Sequence, residues 1–207
     1  MELTFLFKGI IIGLAIAAPV GPIGVLCIRR TLASGWLSGF FSGLGAATAD
    51  FTYGLIAAFG LAVASDFLLK NIVLIKIVGG GFLLYLGVNT YRSTTENNET
   101  QSLGKLGYLK DYSSTVFLTL TNPATILSFL AIFAVAGVAK ADDYFSAGLL
   151  ALGVLLGSSL WWFLLSMFTN IFKRKMNFER MMIVNKISGI IIGGFGFVSF
   201  LSLIGKF

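Results

Sequence analysis

Long apolar runs broken by short polar connections dominate the chain. Six runs are long enough to cross a bilayer: roughly Thr4 to Ile28, Leu37 to Ala64, Asn71 to Tyr91, Ser114 to Val138, Tyr144 to Phe172 and Val184 to Ile204. A helical crossing takes about 20 mainly apolar residues, because backbone polar groups in lipid must be satisfied within the segment. Two stretches, Tyr112 to Ala139 and Tyr144 to Phe172, carry no charge at all. The other runs contain only Asp50, or lysines close enough to an end to reach the interface. The pattern predicts an all-α integral membrane protein with six transmembrane helices.

One connection, Arg92 to Asp111, is sizeable and hydrophilic, and reads as a mobile loop. It divides the chain into a first three-helix unit at 1–91, a linker at 92–113 and a second three-helix unit at 114–207. The first, third and fifth connections with their flanks hold ten lysines and arginines, among them Arg29, Arg30, Arg92, Lys110 and Arg174, and the opposite side holds five lysines and no arginine. That asymmetry puts the basic connections, the linker included, in the cytoplasm and both termini outside.

With three helices per half, related halves must insert in opposite orientation. Short matches in the right helix order support this 3+3 inverted-topology repeat. Lys76-Ile77-Val78-Gly79 and Lys186-Ile187-Ser188-Gly189 are offset by 110, and Pro22 and Pro123 by 101. Gly45, Ala49, Asp50 and Tyr53 align with Gly153, Gly157, Ser158 and Trp161 at an offset of 108. Such repeats point to alternating access.

Composition narrows the picture. The chain is 57% hydrophobic and 12% charged, against roughly 25% charged in an ordinary soluble domain. A soluble fold is thereby excluded, and at 207 residues there is no room beside the helices for a separate catalytic domain. One cysteine, Cys27, and no histidine remove disulfide frameworks, thiol redox pairs and the usual zinc sites, and weaken any case for metal export. The pattern calls for no cofactor. The net charge of +6 lies between the apolar runs, so it speaks of topology and not of nucleic acid. The N-terminal run is too long for a signal-peptide core and is read as a retained helix.

Candidate chemistry is sparse and concentrated. All three prolines interrupt apolar runs: Pro19 and Pro22 around Gly21, and Pro123 after Asn122. Each removes a backbone donor and clashes with the carbonyl four residues earlier, so these helices should break and expose backbone groups near the midplane. Asp50 is the one acidic residue deep in any run, at a cost of about 2.5–3.5 kcal/mol for a charge at a helix centre. No lysine or arginine sits at comparable depth, which favours a proton or a cationic substrate group as its partner. Tyr53, Ser158 and Trp161 are candidate cavity walls. An intramembrane enzyme would need a nucleophile and base, or a metal cluster, and the residues supply neither.

These elements together resemble the LysE/RhtB family of amino-acid exporters over nearly the whole length. The resemblance is carried by Pro19-Val20-Gly21-Pro22, the glycine-rich approach to Asp50, Asn122-Pro123, and Leu152-Gly153 with Gly157-Ser158-Ser159-Leu160-Trp161-Trp162. The chain departs from it at Ala124, where many relatives have lysine, and at Ala49, where glycine is frequent. The resemblance implies a bacterial inner-membrane exporter that expels amino acids or related metabolites, driven by the proton gradient. The alternatives are export of a cation or other small solute, or a non-transport membrane subunit. The substrate and the oligomeric state, homo-oligomer included, are not set by the pattern.

Overall fold

A computed structural model of the chain describes residues 2–19, 21–58, 70–93, 105–123, 125–129, 144–175 and 177–204. Among these, the long helices are α1 (Glu2–Ala17), α2 (Pro22–Ser34), α3 (Trp36–Ala58), α4 (Ile72–Arg92), α5 (Lys105–Leu120), α6 (Tyr144–Lys173) and α7 (Phe178–Ile204), and there is no strand. Helices α4, α6 and α7 are each long and apolar enough to span a membrane. The α1–α2 pair, bent by 80°, makes a fourth span if taken as one crossing. The expected second and fourth crossings run partly over 59–64 and 130–138, outside the described residues. The chain is a multi-pass helical membrane protein, with three to four spans in hand of the six expected.

Glycine sets the closest helix contacts. Gly9 and Gly13 share one face of α1, and Gly153 and Gly157 one face of α6, each pair being four residues apart. A methyl group at Gly9 would land on the Leu150 carbonyl, and one at Gly157 on the Ile10 carbonyl, so the backbones touch. Small residues at four-residue spacing are how helices associate in lipid, where no hydrophobic force drives them together. Helices α4 and α7 approach in the same way through Gly80, Gly87, Gly189 and Gly196. Helix α3 lies between α5 and α6, and α2 bridges α3, α6 and α7. The large side chains of Phe168, Ile171 and Phe172 on α6 and of Ile190, Phe197 and Val198 on α7 are exposed, which suits a surface facing lipid.

Helix α5 begins at Lys105, well ahead of the expected start at Ser114, so the C-terminal part of the linker is helical. The early residues find partners at helical spacing. Tyr108 stacks on Phe41 with ring centroids 5.1 Å apart, Asp111 pairs with Arg30, and the Tyr112 hydroxyl donates to Thr48 Oγ1 at 2.9 Å. The remainder of the linker, 94–104, lies outside the described residues. At the turn from α2 to α3, Gly35 takes φ of +104°, a conformation that L side chains rarely adopt, and its amide donates to the Thr31 carbonyl. That turn brings Ser38 and Ser42 of α3 back alongside Arg30 of α2.

Candidate functional site

Both proline elements break their helices. Helix α1 ends at Ala17, and α2 restarts with Gly21 as its N-cap and Pro22 at the first helical position, where the missing N–H is not needed. Thr121 and Asn122 likewise leave the helical path, and Pro123 and residues 125–129 are helical. The first backbone bonds after each break correspond: Val25 N–H donates to the Gly21 carbonyl at 3.1 Å, and Ile126 N–H to the Asn122 carbonyl at 3.2 Å. Pro22 and Asn122 are buried, Gly21 is half-buried and Pro19 is exposed.

Asp50 sits on α3 facing α6 and is only 3% exposed. Its Oδ2 accepts a hydrogen bond from Ser158 Oγ at 2.7 Å, and Ser158 Oγ accepts one from Trp162 Nε1 at 3.1 Å. Ser158 and Trp162 stand one turn apart on α6, so the same helix face supplies both groups. One turn beyond Asp50, the Tyr53 hydroxyl donates to the Leu120 carbonyl at 2.7 Å, and its ring packs 5.3 Å from that of Phe129. Leu120 and Phe129 bracket the Asn122-Pro123 break, so Tyr53 ties α3 to it one turn beyond Asp50. Ala17 and Ile23 on either side of the first break pack in one cluster with Ala46, Ala47 and Trp162. The two breaks therefore flank the chain of groups from Asp50 to Trp162. Among the described residues no lysine or arginine forms an ion pair with Asp50.

A cavity of about 850 Å³ opens elsewhere, where the ends of α2 and α4 meet the starts of α3 and α5. Among the described residues it is lined by Arg29, Arg30, Arg92 and Lys110, by a single carboxylate, Asp111, and by apolar side chains including Leu26, Phe82 and Leu86. Arg30 is fully engaged. Its Nε lies 3.2 Å from Asp111 Oδ1, its Nη1 donates to Ser42 Oγ, the Asp111 carbonyl and Thr115 Oγ1, and its Nη2 to Ser114 Oγ. Ser38 closes the cluster by donating to the other Asp111 oxygen. Arg29 is held at one point, where its Nε donates to Asn185 Oδ1 at 2.9 Å. The buried Asn185 in turn donates to the Ser93 carbonyl at 3.0 Å.

Of the residues expected to matter, the structure joins Asp50 directly to Ser158, and Tyr53 to the second break. Trp161 is half-buried against the core, whereas its neighbour Trp162 makes the hydrogen bond to Ser158. None of Asp50, Tyr53, Ser158 and Trp161 lines the arginine cavity. Arg29, Arg30, Asp111 and Asn185 were not among the expected site residues. Their signal in the sequence is a surplus of hydroxyls, Ser38 and Ser42 one helical turn apart, then the adjacent Ser114 and Thr115, able to meet a guanidinium donor or a carboxylate.

A family model described as LysE type translocator matches residues 14–202. The chain is 31% identical over 193 residues, 91% of either chain, to a Bacillus subtilis (strain 168) protein named "Putative amino acid efflux protein YcgF". It is 31% identical over 172 residues to the uncharacterized membrane protein YahN of Escherichia coli (strain K12), covering 81% of this chain and 76% of the other. It is 28% identical over 191 residues to the uncharacterized membrane protein YrhP of Bacillus subtilis (strain 168), covering 86% and 90%. No solved structure matches the chain.

Proposed function

Because the chain belongs to the LysE type translocator family, we propose that it is a secondary active exporter of amino acids or related small metabolites. It works by alternating access in the bacterial inner membrane, with protons as the coupling ion and both termini outside the cytoplasm. The observation that carries the reading is the buried Asp50 with a hydroxyl partner and no ion-pairing cation among the described residues. A carboxyl group so placed is costly as a lone ion, and it is suited to exchange a proton or to meet a cationic substrate group. Asp50, with Pro19, Gly21 and Pro22 on one side and Asn122 and Pro123 on the other, forms the central site, walled by Tyr53, Ser158 and Trp161.

The packing supports an inverted repeat as the basis of the cycle. Asp50 and Ser158, aligned at an offset of 108, touch each other, as equivalent positions beside a two-fold axis would. A methyl group at Gly45 would meet the Tyr112 carbonyl and the Val116 amide, and one at its counterpart Gly153 would meet the Leu6 carbonyl and the Ile10 amide. Between α4 and α7, Gly80 meets Gly196 and Gly87 meets Gly189, two contacts that exchange under an offset of 109, one residue short of the motif offset. Two halves held by matching contacts can exchange conformations, which is what opening to each side in turn requires.

The test is efflux of radiolabelled amino acids from proteoliposomes, with and without an imposed pH gradient. The reading predicts gradient-dependent movement of at least one amino acid. A full panel with none would overturn it in favour of a cation or another small solute.

A further inference from the structure

Arg29 and Arg30 are neighbours in sequence with opposite degrees of freedom. Arg30 donates four hydrogen bonds to Ser42, Ser114, Thr115 and the Asp111 backbone while pairing with the Asp111 carboxylate, so it cannot take a ligand without breaking the joint between α2, α3 and α5. Arg29 is fixed through Nε by Asn185, and among the described residues its two terminal nitrogens have no hydrogen-bond partner. Arg29 lines the cavity. A guanidinium aimed by one nitrogen and open at the others presents the planar fork that grips a carboxylate through two bonds. Four cationic side chains against one carboxylate give the described lining an excess of positive charge, and low-dielectric walls focus such a field on a small anion. Leu26, Phe82 and Leu86 supply apolar surface beside the charges.

We propose that the cavity is a loading site in which Arg29 holds the α-carboxylate of the exported amino acid before it moves to Asp50. Counted along α3, Asp50 lies eight residues beyond Ser42, or about 12 Å deeper at 1.5 Å per residue. The loading site and the Asp50 site are separate stations on one path. The proposal rests on the exporter reading for the identity of the ligand, and on the geometry of Arg29 for the site.

Arginine-selective labelling with phenylglyoxal, read by peptide mass spectrometry on the purified protein in phosphatidylcholine nanodiscs, tests it directly. Arg29 should react faster than the clamped Arg30. A mixture of proteinogenic L-amino acids without Asp and Glu should slow labelling of Arg29 several-fold, and the matching amino-acid amides at equal ionic strength should not. Arg29→Gln should raise the half-saturating concentration for efflux about tenfold or more, the loss of a charge-assisted bond, with Arg29→Lys in between. Arg29 inert to the reagent, or equal protection by acids and amides, would overturn the proposal. So would protection by added phosphatidylglycerol with no effect of amino acids, which would make the cavity a lipid headgroup site. Unchanged labelling beside measurable amino-acid efflux would sink the loading site alone. Protection beside an empty efflux panel would sink the exporter reading and leave the carboxylate site standing.

Discussion

Asp50 and Asp111 both project from helices into the bundle, yet they are partnered in opposite ways. Asp111 has a permanent cation: Arg30 lies 3.2 Å away and is itself fixed by three hydroxyls, so the charge pair is built into the joint between α2, α3 and α5. Asp50 is more deeply buried and among the described residues has only the Ser158 hydroxyl, with Trp162 behind it. A charge with a fixed partner holds structure together, and a charge without one is available to something that comes and goes. The difference in partners, more than the difference in burial, separates the joint from the site.

Breaking the joint should have the largest effect on stability. Arg30→Ala leaves Asp111 without its cation, and removing one member of a largely buried pair costs about 3–5 kcal/mol. Thermal unfolding in detergent should fall sharply, and Arg30→Ala combined with Asp111→Ala should recover part of the loss. A double variant no better than the single one would mean that the pair is not what holds the three helices. Next comes Ser158→Ala, which deprives Asp50 and Trp162 of a common partner and should cost about 1–3 kcal/mol. If unfolding of that variant matched the wild type, the hydrogen-bonded chain on α6 would not order the Asp50 side chain. The smallest effect is expected of Tyr53→Phe, about 1 kcal/mol for a single hydroxyl donating to a carbonyl. Efflux should suffer more than stability there, since the lost bond ties α3, one turn beyond Asp50, to the Asn122-Pro123 break; a variant with normal efflux would uncouple the two.

The parts of this comparison were unequally legible in the sequence. Asp50 and the three prolines stand out because apolar runs make any polar or helix-breaking residue conspicuous. Ser158 could be paired with Asp50 because both lie in matching small-residue patterns. The choice between Trp161 and Trp162 depends on which face of α6 meets α3, and Trp162 shares the face of Ser158 at four-residue spacing, a cue that was present. The arginine joint was harder to see. Arg29 and Arg30 read naturally as topology signals at a membrane edge, and Asp111 as the end of a hydrophilic loop. Only the turn at Gly35 and the early start of α5 bring Ser38, Ser42, Asp111, Ser114 and Thr115 around one guanidinium, and both are tertiary facts.

The central claim is that Asp50 couples export to the proton gradient, and Asp50→Asn tests it most directly because it keeps the side-chain shape and the capacity to accept from Ser158. Amino-acid efflux should be followed in proteoliposomes with matched amounts of folded wild-type and variant protein, with and without an imposed pH gradient. The account predicts that the variant loses the gradient-dependent component while its unfolding transition stays close to that of the wild type. Gradient-driven efflux undiminished in Asp50→Asn would contradict it.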